Sequence, residues 1–118
     1  MDLPESLVRR SNLTKTQIES LVSYSRVRSR QATLRQVASE RTSGPITVGS
    51  FSRTVGQGKA NVKSSILTVI IALWLGFAKS DDLRRLLDLA SGGPPDIGGE
   101  VDDRVLGVID ALIERIVI

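Results

Sequence analysis

Thr42-Ser43-Gly44-Pro45-Ile46-Thr47-Val48-Gly49-Ser50-Phe51 is the stretch on which the reading of the fold turns. Glycine supplies the left-handed backbone that ends a helix and proline cannot continue one, so a helix stops before Gly44. Thr47 stands as N-cap of the next helix, with Ile46 and Phe51 spaced as a hydrophobic staple. From there Val48, Phe51, Val55, Val62, Ile66, Val69 and Leu73 recur at helical intervals. This spacing predicts one long helix over about 47–76, ended by Gly76, with a break at Gly56–Gly58 as the alternative.

Upstream, Leu13-Thr14-Lys15-Thr16-Gln17-Ile18 reads as a helix start. Thr14 and Gln17 form a capping box, Leu13 and Ile18 a staple, and Ile18, Leu21 and Val22 a buried stripe. The apolar phase slips between Val22 and the later set Val27, Leu34, Val37 and Ala38, which predicts two helices meeting near residues 24–29. Downstream, the apolar run Ile66 to Ala78 is shorter than the roughly twenty residues a bilayer span needs, so it is expected to be the central core helix. Ser80 is placed as the cap of a helix carrying Leu83, Leu86, Leu87 and Ala90, with Asp81 and Asp82 at its positive end. Gly92-Gly93-Pro94-Pro95 stops it. A connector to about Gly99 leads to a last helix that is apolar on more than half its circumference. That helix is expected either to be buried or to pair with another subunit, with Leu112, Ile113 and Ile116 as the self-association candidates.

These elements predict an all-α, single-domain orthogonal bundle of five to six helices over residues 1–118. It divides into a basic part, 13–79, and acidic helices, 80–118. Residues 1–79 hold twelve Lys/Arg against four Asp/Glu, and residues 80–118 hold four against nine, within an overall formal charge of +3. The basic part is the expected anion-facing surface. Genomic composition or thermal adaptation is the other account of twelve arginines against four lysines.

With no cysteine and no histidine, the chain has no means of forming disulfides, zinc fingers, Ser-His-Asp triads or His-ligated metal centres. Gly56-Gln57-Gly58-Lys59 falls short of a phosphate loop, because Arg53 and Ala60 stand where that pattern needs Gly and Ser/Thr. The pairs Asp81-Asp82 and Asp102-Asp103 sit where helix N-termini favour negative charge. The expectation is a non-enzymatic chain with no cofactor, no metal and no small-molecule substrate. The start of the chain lacks a basic segment followed by an apolar core, so a cytoplasmic location is expected, without membrane attachment.

What remains is the segment from Val27 to Ser65: a helix with Val37-Ala38, the Gly44-Pro45 turn, then a polar and basic helix. This is helix-turn-helix order. With Val48, Phe51 and Val55 facing inward, Ser50, Arg53, Thr54 and Gln57 face outward as candidates for base contact. Arg28, Arg30, Arg35, Lys59 and Lys63 are the phosphate candidates. A solvated helix face is the competing reading of the same residues.

The stretches Ile46 to Arg53 through Gln57, Asn61 to Ile66, and Leu75-Gly76 resemble a small family of archaeal helical proteins. That family is similar in helix order to region 4 of bacterial sigma factors. The resemblance covers about residues 13–90, and the long Gly-Pro turn departs from the compact sigma pattern. It implies DNA binding and no catalytic residue. The expected function is therefore double-stranded DNA binding of the helix-turn-helix type, such as transcription regulation, with a homodimer through the C-terminal helix. A protein–protein adaptor or oligomeric scaffold is the alternative. RNA is not separable from DNA by sequence, although the lack of interleaved aromatics disfavours single-strand stacking.

Overall fold

The computed structural model describes residues 3–42, 44–92, 96–97, 100–101 and 103–118. Among them the fold is all-α. Six helices run in the order α1 (Glu5–Arg10), α2 (Lys15–Arg28), α3 (Leu34–Ser39), α4 (Val48–Leu75), α5 (Ser80–Ala90) and α6 (Asp103–Ile116). A two-residue antiparallel pair, β1 (Asp96–Ile97) and β2 (Glu100–Val101), lies between the last two. The Pro94 and Pro95 stop and Gly98-Gly99 lie outside the described residues. Helix α1, not foreseen from the sequence, starts behind Pro4 and carries Glu5 in its first turn and Arg9 and Arg10 in its last, matching the helix dipole at both ends.

The chain divides into two compact units, Ser6–Ser65 and Ile66–Ile118 with Met1–Glu5, and the boundary falls inside α4. Charge separates sharply at this boundary. The first unit holds eleven Lys/Arg against two Asp/Glu, the second five against eleven.

In Ser6–Ser65, α2 opens with the expected capping box. The Thr14 side chain accepts from the Gln17 backbone N–H, and the Gln17 side chain accepts from that of Thr14. It ends at Arg28, within the stretch where the phase slip places the junction of two helices. The Arg30 N–H donates to the Val27 carbonyl and the Gln31 N–H to the Arg26 carbonyl, and Arg30 takes the left-handed φ of 62° that such a helix end requires. A second capping box, Thr33 with Gln36, then starts α3. The eight residues between α3 and α4 are pinned at several points. The Thr42 N–H donates to Glu19 Oε1 (2.6 Å), Arg41 Nε to the Gly44 carbonyl (2.9 Å) and the Ile46 N–H to the Ala38 carbonyl (3.1 Å). Thr47 caps α4, its hydroxyl accepting from the Ser50 N–H at 3.1 Å.

The core of this unit is Val37, Ala38, Phe51 and Val55, with Leu21, Tyr24, Val27, Ala32, Leu34 and Ile46 packed around it. Two expected inward residues are not buried: Val22 and Val48 are exposed, and Ser20 takes the innermost place on α2. Its Oγ is fully buried without a hydrogen-bond partner. Ser20→Ala should therefore raise stability by about 1 kcal/mol, because the buried hydroxyl is desolvated with nothing in return. A urea titration in which Ser20→Ala lowers the midpoint would show that the hydroxyl is satisfied in solution. Gly58 is buried where α4 meets α2. A Cβ there would lie 3.0 Å from Leu21 Cδ1, so the absence of a side chain sets how closely the two helices approach.

In the second unit, α4 ends at Gly76 (φ 79°), with the Gly76 N–H donating to Leu73 and the Phe77 N–H to Ala72. Helix α5 begins at Ser80 without a side-chain cap, which corrects the role given to Ser80; the N-cap residue is Lys79. Residues 77–79 pair with the chain's last residues, since the Lys79 N–H donates to Ile116 and the Ile118 N–H to Phe77. Asp82 of α5, buried, lies 3.4 Å from Arg85 and 3.6 Å from Arg115 of α6 and ties the two helices. Ile116 is the only buried hydrophobic residue among the described residues of this unit. The run from Ile66 is thus not a core helix: Ile66, Leu67, Val69, Ile71, Trp74, Leu75 and Phe77 are all exposed.

Candidate nucleic-acid interface

Helix α4 is continuous through Gly56 and Gly58, so residues 48–65 present one uninterrupted helical surface in the first unit. Its inner side is fixed by Phe51, Val55 and Gly58, all buried. Residues roughly half a turn away therefore point outward. Ser50, Arg53 and Gln57 are exposed there, as expected from the sequence.

Thr54 is placed differently. It is half-buried, and its hydroxyl donates to the Ser50 carbonyl at 3.1 Å, which directs it along the helix and away from any ligand. Asn61, a further polar residue of α4, is also half-buried. Its Nδ2 donates to Gln17 Oε1 at 3.1 Å, and Ser65 of the next turn receives a bond from Asn12 Nδ2 at 3.0 Å. These two residues lash α4 to the start of α2. The partners Gln17 and Asn12 lie more than forty residues away in the chain, so no local pattern marks them.

The phosphate candidates Arg28, Arg30, Arg35, Lys59 and Lys63 are all exposed. Among the described residues, no ion pair holds Arg28, Arg30, Arg35 or Lys63. Lys59 is less free, because its Nζ sits 4.2 Å from the centre of the Tyr24 ring, a cation–π contact that fastens α4 to α2. Arg30 gains an importance that sequence reading missed. A non-glycine residue at positive φ bears a conformational cost of about 1 kcal/mol, and here that residue projects a guanidinium from the turn between α2 and α3.

The self-association candidates on α6 separate. Ile116 is buried inside its own unit, which removes it from any surface role; Leu112 is half-buried and Ile113 is exposed. No group of three or more Asp/Glu side chains that would hold a metal ion occurs among the described residues. By length and composition α4 is also apolar enough to cross a membrane, and only 6% of its most apolar window is buried. Comparison with protein-family models, with curated proteins and with solved structures finds no match to this chain.

Proposed function

We propose that the unit Ser6–Ser65 binds double-stranded DNA in the helix-turn-helix manner, with α4 as the reading helix, and that the protein acts by binding and not by catalysis. One observation carries this reading. The side of α4 opposite its buried residues presents Ser50, Arg53 and Gln57 in a unit with eleven Lys/Arg and only two Asp/Glu. Arg suits the paired acceptors of guanine and Gln the edge of adenine, while Arg28, Arg30, Arg35 and Lys63 would meet phosphates. The alternative reading, a protein–protein adaptor or scaffold, draws its support from the exposed apolar residues of α4 beyond Ser65.

Duplex binding by the full chain should weaken steeply with salt. If about five phosphates are neutralised, the slope of log affinity against log salt should be near −4.5. Arg53→Ala should cost roughly 1–3 kcal/mol on a preferred site and much less on random duplex. Arg30→Gly should separate two roles of one residue: melting stability should rise by about 0.5–1 kcal/mol as the left-handed position is relieved. In the same variant the salt slope should become shallower by about one unit. Absence of binding at about 50 mM salt, where even non-specific affinity is measurable, would leave the adaptor reading in place.

A further inference from the structure

Helices α5 and α6 form a hairpin with two unlike sides. They pack along each other with the start of α5 beside the end of α6, since the Lys79 N–H donates to the Ile116 carbonyl and Asp82 lies 3.6 Å from Arg115. On the Asp82 side the contact is ionic. Arg85, 3.4 Å from Asp82, belongs to it, and Arg104 falls on the same side of α6 as Arg115, three helical turns earlier. Counted from Asp82 and Arg115, the helical period turns Leu83 and Leu87 of α5, and Leu106 and Ile113 of α6, to the other side. Leu83 and Leu106 are half-buried, while Leu87 is 59% exposed and Ile113 41%. The apolar side of this two-helix layer is therefore open.

Charge indicates what fits it. Asp103, Asp110 and Glu114 follow at intervals of 7 and 4, one row along α6 beside Leu106 and Ile113. Three of the hairpin's four arginines stand on the Asp82 side, and the fourth, Arg84, lies on the edge of α5 at 3.9 Å from Asp81. The apolar strip is thus edged by carboxylates over a length of about 16 Å. An anionic bilayer is repelled by such an edge. A second copy laid on this side would bring the same carboxylates and, apart from Arg84, no arginine to meet them. A helix with apolar residues at intervals of three and four and cations beside them matches both the strip and its edge.

We propose that this side of the α5–α6 hairpin binds a partner protein through a basic amphipathic helix. That helix lies along the hairpin as a third helix, its Lys or Arg residues against Asp103, Asp110 and Glu114. The proposal stands whether or not the first unit meets DNA.

The test uses the full chain and a fluorescein-labelled helical peptide of about fifteen residues, with leucines at intervals of three and four and lysines beside them. Fluorescence anisotropy should show saturable binding in the micromolar range. A peptide of the same composition in scrambled order should bind at least about tenfold more weakly. Glu114→Lys should weaken binding of the ordered peptide about tenfold and Ile113→Glu by more, with helical circular dichroism retained in both. Glu40→Lys makes the same charge change on an exposed residue of the first unit and should leave the affinity as it is. Equal losses in Glu40→Lys and Glu114→Lys would reduce the effect to net charge and overturn the proposal. So would equal affinity for the scrambled peptide, or no binding up to about 1 mM. Dimerisation of the chain alone, or binding to phosphatidylglycerol vesicles, that Ile113→Glu abolishes would also overturn it, assigning this side to a second copy or to lipid.

Discussion

Phe51→Ala should unfold the basic unit almost completely at 25 °C. Among the described residues Phe51 is the largest fully buried side chain, clustered with Val37, Ala38 and Val55, so its truncation removes apolar contact on several sides at once. Phe-to-Ala changes in such sites cost about 3–5 kcal/mol, comparable to the whole stability of a unit of this length. Helical circular dichroism against urea would measure it, with Leu87→Ala on exposed α5 surface as the control expected to move by less than about 0.5 kcal/mol. A loss below about 1 kcal/mol for Phe51→Ala would mean that the core is loosely packed and can collapse around the gap.

The second large effect is expected at Gly58. A leucine there must push Leu21 aside, since even a Cβ would stand 3.0 Å from its Cδ1 and 3.2 Å from its Cγ. Overpacking of this kind costs roughly 1–3 kcal/mol and should lower the urea midpoint accordingly. Gly56, two residues earlier in the same helix, has nothing within 4 Å of a built Cβ. Gly56→Ala should raise stability by about 0.5–1 kcal/mol, as alanine is the better helix former. If the two changes moved the midpoint in the same direction, α2 and α4 would not pack as closely as the Gly58 contact requires.

These glycines show where sequence reading stops. Three glycines in one predicted helix looked like a weakness in it, because propensity is local and the reason for Gly58 is Leu21, thirty-seven positions away. Cap chemistry is local in the same sense, and Thr14, Thr47 and Gly76 could be placed from their neighbours alone. The Thr33–Gln36 box was equally visible as a pattern. The stop before it is hidden, because Arg30 is not the glycine by which such stops are recognised.

Within the candidate interface, the alternation around Phe51 and Val55 was enough to turn Ser50, Arg53 and Gln57 outward. It could not show that the Thr54 hydroxyl is spent on its own helix or that Lys59 lies on Tyr24. The run Ile66–Ala78 resembles a core helix in the sequence for a related reason. Hydropathy measures aversion to water, and it is the same for a residue already covered and for one awaiting a partner.

The hydrophobic cluster of Ser6–Ser65 is drawn from residues between Leu21 and Val55. Contacts of such short sequence separation form rapidly, because little loop entropy is lost before they are made. During synthesis these residues leave the ribosome ahead of α5 and α6. The basic unit's cluster can therefore begin to form while the end of the chain is still being delivered, in an order set by translation itself.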